Sequence, residues 1–287
     1  MKIKKLISAL VLGSMLVGLS GCNITDFSAE NLLRPPKAVG DEAEIEQLIA
    51  KTADSGYTLK YPKNGKFRSA IIMTDLDGND SNEAVAFFRN SAETSSVHML
   101  VMYSKDNSWE IASDNIFETT DIDSVDFADL TGNGKAEIIV NSTTYTPNVG
   151  KLSCYSYSEG KTNEVGSGQS CSSFVTGDFD NDGTSEIMSL VLYTTENEAL
   201  ASMLDYNEDS KSLYAKAMAN MDPNVVKYKN IAVTKLDNDI TGIVVDGTSA
   251  NEVTNTQVIF YSRDLAILRN PLFKEKAKNI TRRSSQI

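Results

Sequence analysis

Three nine-residue segments of this chain align with one another without gaps, and that repetition limits the possible folds more than any other feature. They are Asp75-Leu76-Asp77-Gly78-Asn79-Asp80-Ser81-Asn82-Glu83, Asp129-Leu130-Thr131-Gly132-Asn133-Gly134-Lys135-Ala136-Glu137 and Asp178-Phe179-Asp180-Asn181-Asp182-Gly183-Thr184-Ser185-Glu186. Each follows a strand-like run (69–74, 124–128, 172–177) and precedes another (84–88, 138–140, 187–192). A degenerate fourth copy, Lys235-Leu236-Asp237-Asn238-Asp239, sits between the strand-like stretches 230–234 and 243–245. The first positions, 75, 129, 178 and 235, lie 54, 49 and 57 residues apart. An interval of that size is the signature of one supersecondary unit repeated along the chain.

Each interval leaves room for two further strands, which the first unit shows as 97–104 and 108–112 joined by the turn residues Lys105-Asp106-Asn107. Four antiparallel strands in a unit of about 50 residues predict a blade of a β-propeller. Helical periodicity is confined to the stretch before residue 54, which excludes α/β barrels and doubly wound sheets. The fold class predicted is all-β, a partial propeller of about four blades with a short N-terminal helix. The runs Ala70-Ile71-Ile72-Met73 and Ala84-Val85-Ala86-Phe87-Phe88 do not alternate, so both faces of these strands should be buried between neighbouring sheets.

On these residues the loops resemble the FG-GAP or VCBS-type repeats of integrin-alpha-like β-propellers, over residues 65–270. The segments Leu32-Leu33-Arg34-Pro35-Pro36-Lys37 and Leu59-Lys60-Tyr61-Pro62, with the helix between them, also resemble the propeller entry of clostridial-type lipoproteins carrying such repeats. The resemblance implies a fold and brings no biochemical activity with it. Such rings usually close with about seven blades, whereas 65–287 holds about four at roughly 50 residues each. A fifth repeat would begin near residue 288, so a chain truncated at its C-terminus is the expectation.

The first residues read as an export signal: Lys2, Lys4 and Lys5, the apolar stretch 6–19, then Ser20-Gly21-Cys22. The apolar run is shorter than the roughly 20 residues needed to span a bilayer. Leu19-Ser20-Gly21-Cys22 resembles a bacterial lipobox, which implies cleavage after residue 21 and a lipid on Cys22. The domains expected are a signal peptide at 1–21, a tether at 22–40, an amphipathic helix at 41–54 and the repeat domain at 55–287. Ile45, Leu48, Ile49 and Thr52 mark the helix's apolar face, with Asp41 a candidate N-cap. The chain is expected on the outer face of a bacterial cell membrane, held through lipid on Cys22.

Charge narrows the partners. With 39 acidic against 27 basic residues the net charge is −12, and loss of three lysines with the signal would leave −15. Phosphate binding needs a basic surface, so nucleic acid is excluded as a partner. The single histidine, His98, removes schemes built on several imidazoles, and its place in Val97-His98-Met99-Leu100-Val101 marks it as a hydrogen-bonded structural residue.

A calcium loop of the Asp-x-Asp-x-Asp-Gly type takes oxygens from positions 1, 3 and 5, a carbonyl at 7 and a later carboxylate, with glycine at 6 for the turn. Asp178, Asp180, Asp182, Thr184 and Glu186 meet this in full, with Gly183 at the turn. Asp75, Asp77, Asn79, Ser81 and Glu83 form a weaker set, with Asp80 in the glycine position. In the third set, Asp129, Thr131, Asn133, Lys135 and Glu137, two acids are gone, and Asx-type hydrogen bonds can hold the loop without metal. The fourth copy, with Lys235 first, should bind none. Calcium is therefore the expected structural cofactor. Cys154 and Cys171, 17 residues apart, are a plausible disulfide, with two buried thiols as the alternative.

The reading that fits these features is a non-enzymatic surface module binding an unknown protein or polysaccharide. A carboxylate-based hydrolase or lyase on a propeller scaffold, or a truncated remnant without activity, are the alternatives. No acid pair stands apart from the repeat to favour an enzyme.

Overall fold

The computed structural model describes residues 40–54, 56–194, 196 and 198–269. The expected signal segment, Cys22, the expected tether up to 39 and the chain beyond 269 lie outside the described residues. Helix α1 spans Asp41–Ala53. Four sheets follow. The first holds β1 (Tyr57–Leu59), β2 (Ile71–Thr74), β3 (Glu83–Asn90), β4 (Val97–Lys105) and β5 (Ser108–Phe117). The second holds β6 (Ile122–Ala128), β7 (Glu137–Thr143), β8 (Gly150–Ser158) and β9 (Lys161–Cys171). The third holds β10 (Ser173–Gly177), β11 (Glu186–Tyr193), β12 (Glu198–Asn207) and β13 (Ser212–Asn220). The fourth holds β14 (Val225–Asp237), β15 (Ile240–Ser249), β16 (Thr254–Tyr261) and β17 (Leu265–Arg269).

Each of the last three sheets is an antiparallel meander whose strands pair in chain order. The first differs only in its opening strand, which is split. β1 pairs with the end of β3 through Leu59↔Phe88, and β2 pairs with its start through Ile71↔Ala86. First strands of successive sheets lie side by side, β6 beside β10 and β10 beside β14. Last strands do the same, from β5 to β9, β13 and β17. The sheets therefore stack face to face in chain order as a partial, propeller-like all-β fold.

Side chains alternate across a strand, so a strand between two sheets sends odd and even residues into different cores. Val85 and Phe87 of β3 meet Ile138 and Val140 of β7, while Ile139 turns the other way to meet Ile187 of β11. Met188, Leu190 and Leu192 then face Ile243, Val245 and Ile259 of the fourth sheet. This is why the apolar runs do not alternate in sequence. Each large side chain buried in this way contributes about 1.5–3 kcal/mol relative to exposure.

Among the described residues no sheet precedes the first, and α1 covers that face. Ile45, Ile49 and Ala53, spaced four apart, lie on Ala84, Ala86, Phe88, Leu100, Met102 and Trp109. The alanines leave room for the helix to approach. Glu42, Glu44 and Glu46 near its start and Lys51 in its last turn suit the helix dipole. Gly40, rather than Asp41, supplies the carbonyl that accepts the Ala43 N–H at 3.1 Å.

Cys154 and Cys171 are free thiols, which corrects the expected disulfide. Cys154 lies opposite Gly166 and Cys171 opposite Gly150, so the two are offset by four residues along paired strands β8 and β9. At about 3.4 Å per residue that offset is about 14 Å, beyond the reach of a disulfide. Both are buried between the second and third sheets with Ile139, Leu152 and Leu204. Burial pushes the Cys171 thiol up to about 12 and the Cys154 thiol higher still, so neither is a thiolate at neutral pH. Both thiols should resist a thiol-specific reagent in the folded protein and react fully after denaturation without reductant. A Cys154–Cys171 cross-linked peptide in a non-reducing digest would overturn this register.

Candidate metal centres

The three acid loops join the first strand of a sheet to its second, and their backbones follow one path. Positions four and six are left-handed in each: Gly78 and Asp80, Gly132 and Gly134, Asn181 and Gly183, with φ between 61° and 95°. Glycine, asparagine and aspartate are the residues that take this conformation at low cost. Position five is an acceptor in all three, receiving the position-seven N–H at 2.7 Å from Ser81 to Asn79, 2.8 Å from Lys135 to Asn133 and 2.8 Å from Thr184 to Asp182.

The first acid differs between loops. Asp75 accepts the N–H groups of Gly78, Asn79 and Asp80 at 2.8, 3.2 and 2.9 Å. Desolvation raises its pKa, but these backbone bonds outweigh it and leave the carboxyl below its ordinary value. Asp129 accepts from Asn133 and Gly134 with both oxygens, at 3.1 and 2.8 Å. Among the described residues Asp178 accepts only the Gly183 N–H, at 3.2 Å, and its buried Oδ1 has no partner.

The late glutamates are buried beneath the loops at 3%, 1% and 0% exposure for Glu83, Glu137 and Glu186. Each turns one oxygen to the backbone at position two. The Leu76, Leu130 and Phe179 N–H groups donate to their Oε2 atoms at 2.8, 2.8 and 2.7 Å. The other oxygen separates the loops. Glu137 Oε1 accepts the Thr131 hydroxyl at 3.3 Å, whereas Glu186 Oε1 has no partner among the described residues. Asp77 Oδ1 in the first loop is likewise buried and unpartnered. A buried acceptor left unmatched costs about 1–3 kcal/mol, more when charged.

Two clusters emerge among the described residues. Asp178, Asp180, Asp182 and Glu186 each place one oxygen within 4.8 Å of the others, and Asp75, Asp77 and Glu83 do the same. The loop at 129 forms no such cluster among the described residues, because Thr131 and Asn133 replace two acids and Glu137 is satisfied internally. Burial, reinforced by Asp180, Asp182 and Asp205, pushes Glu186 up to about 8. Glu83 and Glu137 are raised for the same leading reason, burial. The fourth copy is a tight turn: Asp237 pairs with Ile240, leaving Asn238 and Asp239 between the strands.

The loops are also chained to one another. Ala136 of the second donates its N–H to the Leu76 carbonyl at 2.9 Å, and Ser185 of the third donates to the Asp129 carbonyl at 2.9 Å. Asn181 Nδ2 then reaches the Asp239 carbonyl at 2.6 Å. A Cβ at Gly132 would stand 2.7 Å from Thr184 Cγ2, so glycine there serves close approach as well as its positive φ. At the other end of the sheets lies a cavity of about 770 Å³, lined by the starts of β6, β10 and β14. Asp123, Asn141, Lys227, Lys229 and Asn230 are among its polar lining residues.

His98 is held as a structural residue. Its Nδ1 lies 2.9 Å from both Asp114 oxygens, its Nε2 is 3.3 Å from Glu93, and its ring stacks on Phe88 at 4.8 Å.

No protein-family model matches the chain, and no curated protein matches it in sequence. Among solved structures it is similar to the crystal structure of the exotype rhamnogalacturonan lyase YesX, at 8% identity and a TM-score of 0.38. That alignment covers 73% of this chain and 51% of the lyase, so the chain spans about half of that protein's length.

Glu186 gives a pH test. Its folded pKa of about 8 lies above its ordinary 4.5, so the folded state binds the proton more tightly than the unfolded chain does. The resulting stabilisation is complete below about 4.5 and lost as pH rises through about 8. In chelator, wild-type melting temperature should therefore fall relative to Glu186→Gln between about pH 5 and pH 8. Parallel curves for the two proteins would contradict the assignment.

Proposed function

We propose that this chain is an extracytoplasmic binding module of FG-GAP or VCBS-type repeats, tethered to a membrane through lipid on Cys22 and stabilised by calcium in its acid loops. The observation that carries the calcium reading is the third loop. Asp178 Oδ1 and Glu186 Oε1 are buried without partners in a cluster that also holds Asp180 and Asp182. Two like charges about 4 Å apart repel by about 4 kcal/mol at an effective dielectric of 20, and a cation relieves this directly. The donors are all oxygens on a loop with a flexible turn, which suits calcium. Asp178, Asp180, Asp182 and Glu186, with the Thr184 carbonyl, would hold the ion there. Asp75, Asp77, Asn79 and Glu83 would hold one in the first loop. A bound ion would supply charge neutralisation and a fixed loop.

A binding role is preferred to carboxylate catalysis because the buried glutamates make the same backbone bond in three successive sheets. That recurrence supports a structural assignment for them. The ligand, a protein or polysaccharide, would be taken at the opposite end of the sheets, where the cavity offers amides, hydroxyls and the lysines at 227 and 229. Such a mixed lining of convergent polar groups is typical of ligand sites.

Calcium should raise the melting temperature of the purified protein by several degrees over chelator, Asp178→Asn should remove the third loop's part of the gain, and Asp178→Asn with Asp77→Asn should remove most of it. Superimposable melting curves in calcium and chelator would refute a structural ion. For the tether, metabolic labelling with a radioactive fatty acid should mark the wild type and not Cys22→Ala, with the variant released from the membrane fraction. Equal labelling of both would reject the anchor.

A further inference from the structure

The third sheet carries a cation of its own where the earlier sheets carry an apolar residue. In each of the first three sheets a β-bulge interrupts the pairing of the third and fourth strands beside the residue that follows the loop glutamate. The partners of Ala84, Ile138 and Ile187 are Met102, Tyr155 and Leu204. At those three residues the register of β4–β5, β8–β9 and β12–β13 shifts by one. The extra residue is Ala112 in the first sheet, Val165 in the second and Lys216 in the third. A bulge re-aims its side chain, and here it aims toward the next sheet. Ala112 packs in the core shared with the second sheet and Val165 in the core shared with the third.

Lys216 follows the same path, with Nζ 5.9 Å from the centre of the Tyr261 ring of the fourth sheet. Its ammonium group donates to Asp180 Oδ2, a carboxylate of the third-loop cluster, and to Asp205 Oδ2 at 2.8 Å. Asp180 and Asp205 are 9% and 11% exposed, so the ammonium is their main source of compensating charge. The first-loop cluster has no lysine or arginine ion pair among the described residues.

We propose that Lys216 is a tethered counter-ion for the third loop, holding Asp180 when no metal is bound and competing with a divalent cation for it. The proposal rests on the calcium reading of that loop. Glu186 Oε1, fully buried and unpartnered, points to a cation in the cluster independently of the acids' number. The ammonium on Asp180 leaves Glu186 Oε1 without a partner among the described residues, and its charge repels an ion that would fill the site. Filling the site then requires Lys216 to withdraw toward Asp205. Its bonds to two acids on different elements, the loop and β12, keep the loop closed in the meantime. The consequence is a site whose affinity is set lower than its donor set alone would give, on a sheet that stays folded without metal.

Calorimetric titration with calcium, in a Asp77→Asn background that disables the first loop, tests this. Lys216→Val installs the residue of the second sheet, and Lys216→Met keeps an unbranched stem in case valine compromises folding. Both should bind calcium at least tenfold more tightly than the parent. In chelator both should melt lower than the parent, because Asp180 and Asp205 lose their partner. Binding by the parent with equal or weaker binding by both variants overturns the role of Lys216 and leaves the calcium site standing. No heat from the parent or either variant overturns the site itself, and the inference with it.

Discussion

A buried carboxylate that accepts a backbone N–H underlies the arrangement of the first three sheets. Glu83, Glu137 and Glu186 open the second strand of their sheets, and each bonds the amide at position two of the loop that precedes it. The bond ties the start of the loop to the strand that follows it. Without it a buried amide would lose its acceptor, and the carboxylate would be desolvated for no return. The cost is visible in the raised pKa values of all three glutamates.

Once closed, the loops form the contacts by which one sheet locates the next. The Ala136–Leu76 and Ser185–Asp129 backbone bonds link first to second and second to third loops, close to where Phe87, Ile138, Ile139 and Ile187 interlock. Loop and core thus depend on the same register. Strands with two buried faces are tightly specified, since a slip by one residue exchanges the two cores. Local charge is managed differently in each loop. The first relies on three backbone donors to Asp75, the second replaces acids by Thr131 and Asn133, and the third retains four acids with Lys216 beside them.

Much of this was legible in the chain itself. Gap-free loops with apolar runs on both sides specify strand, turn and strand, and the absence of alternation in Ala84-Val85-Ala86-Phe87-Phe88 specifies burial on both faces. The spacing of Ile45 and Ile49 marks the helix face, although Ala53 rather than Thr52 completes the buried stripe. The acid positions could be ranked by donor count, and the two clusters fall in the two loops richest in acids. The left-handed fourth position was there to be read as Gly78, Gly132 and Asn181, the residues that tolerate positive φ. Lys216 was hidden by an arithmetic slip of the repeat. It lies 30 residues beyond its loop glutamate, whereas Ala112 and Val165 lie 29 and 28 beyond theirs, so a gap-free alignment misses the equivalence.

Sequence alone determined the secondary structure, the repeat and the kinds of donor in each loop, because these depend on residues within a few positions of one another. Tertiary structure decided which oxygens remain unmatched, whether two cysteines can meet, and where a lysine's charge is spent. Those outcomes turn on strand register and bulges, through which a shift of one residue moves a side chain to the other face of a sheet. Cys154 and Cys171 are near in sequence yet held apart by four positions of register, while Lys216 and Asp180, 36 residues apart, are in contact.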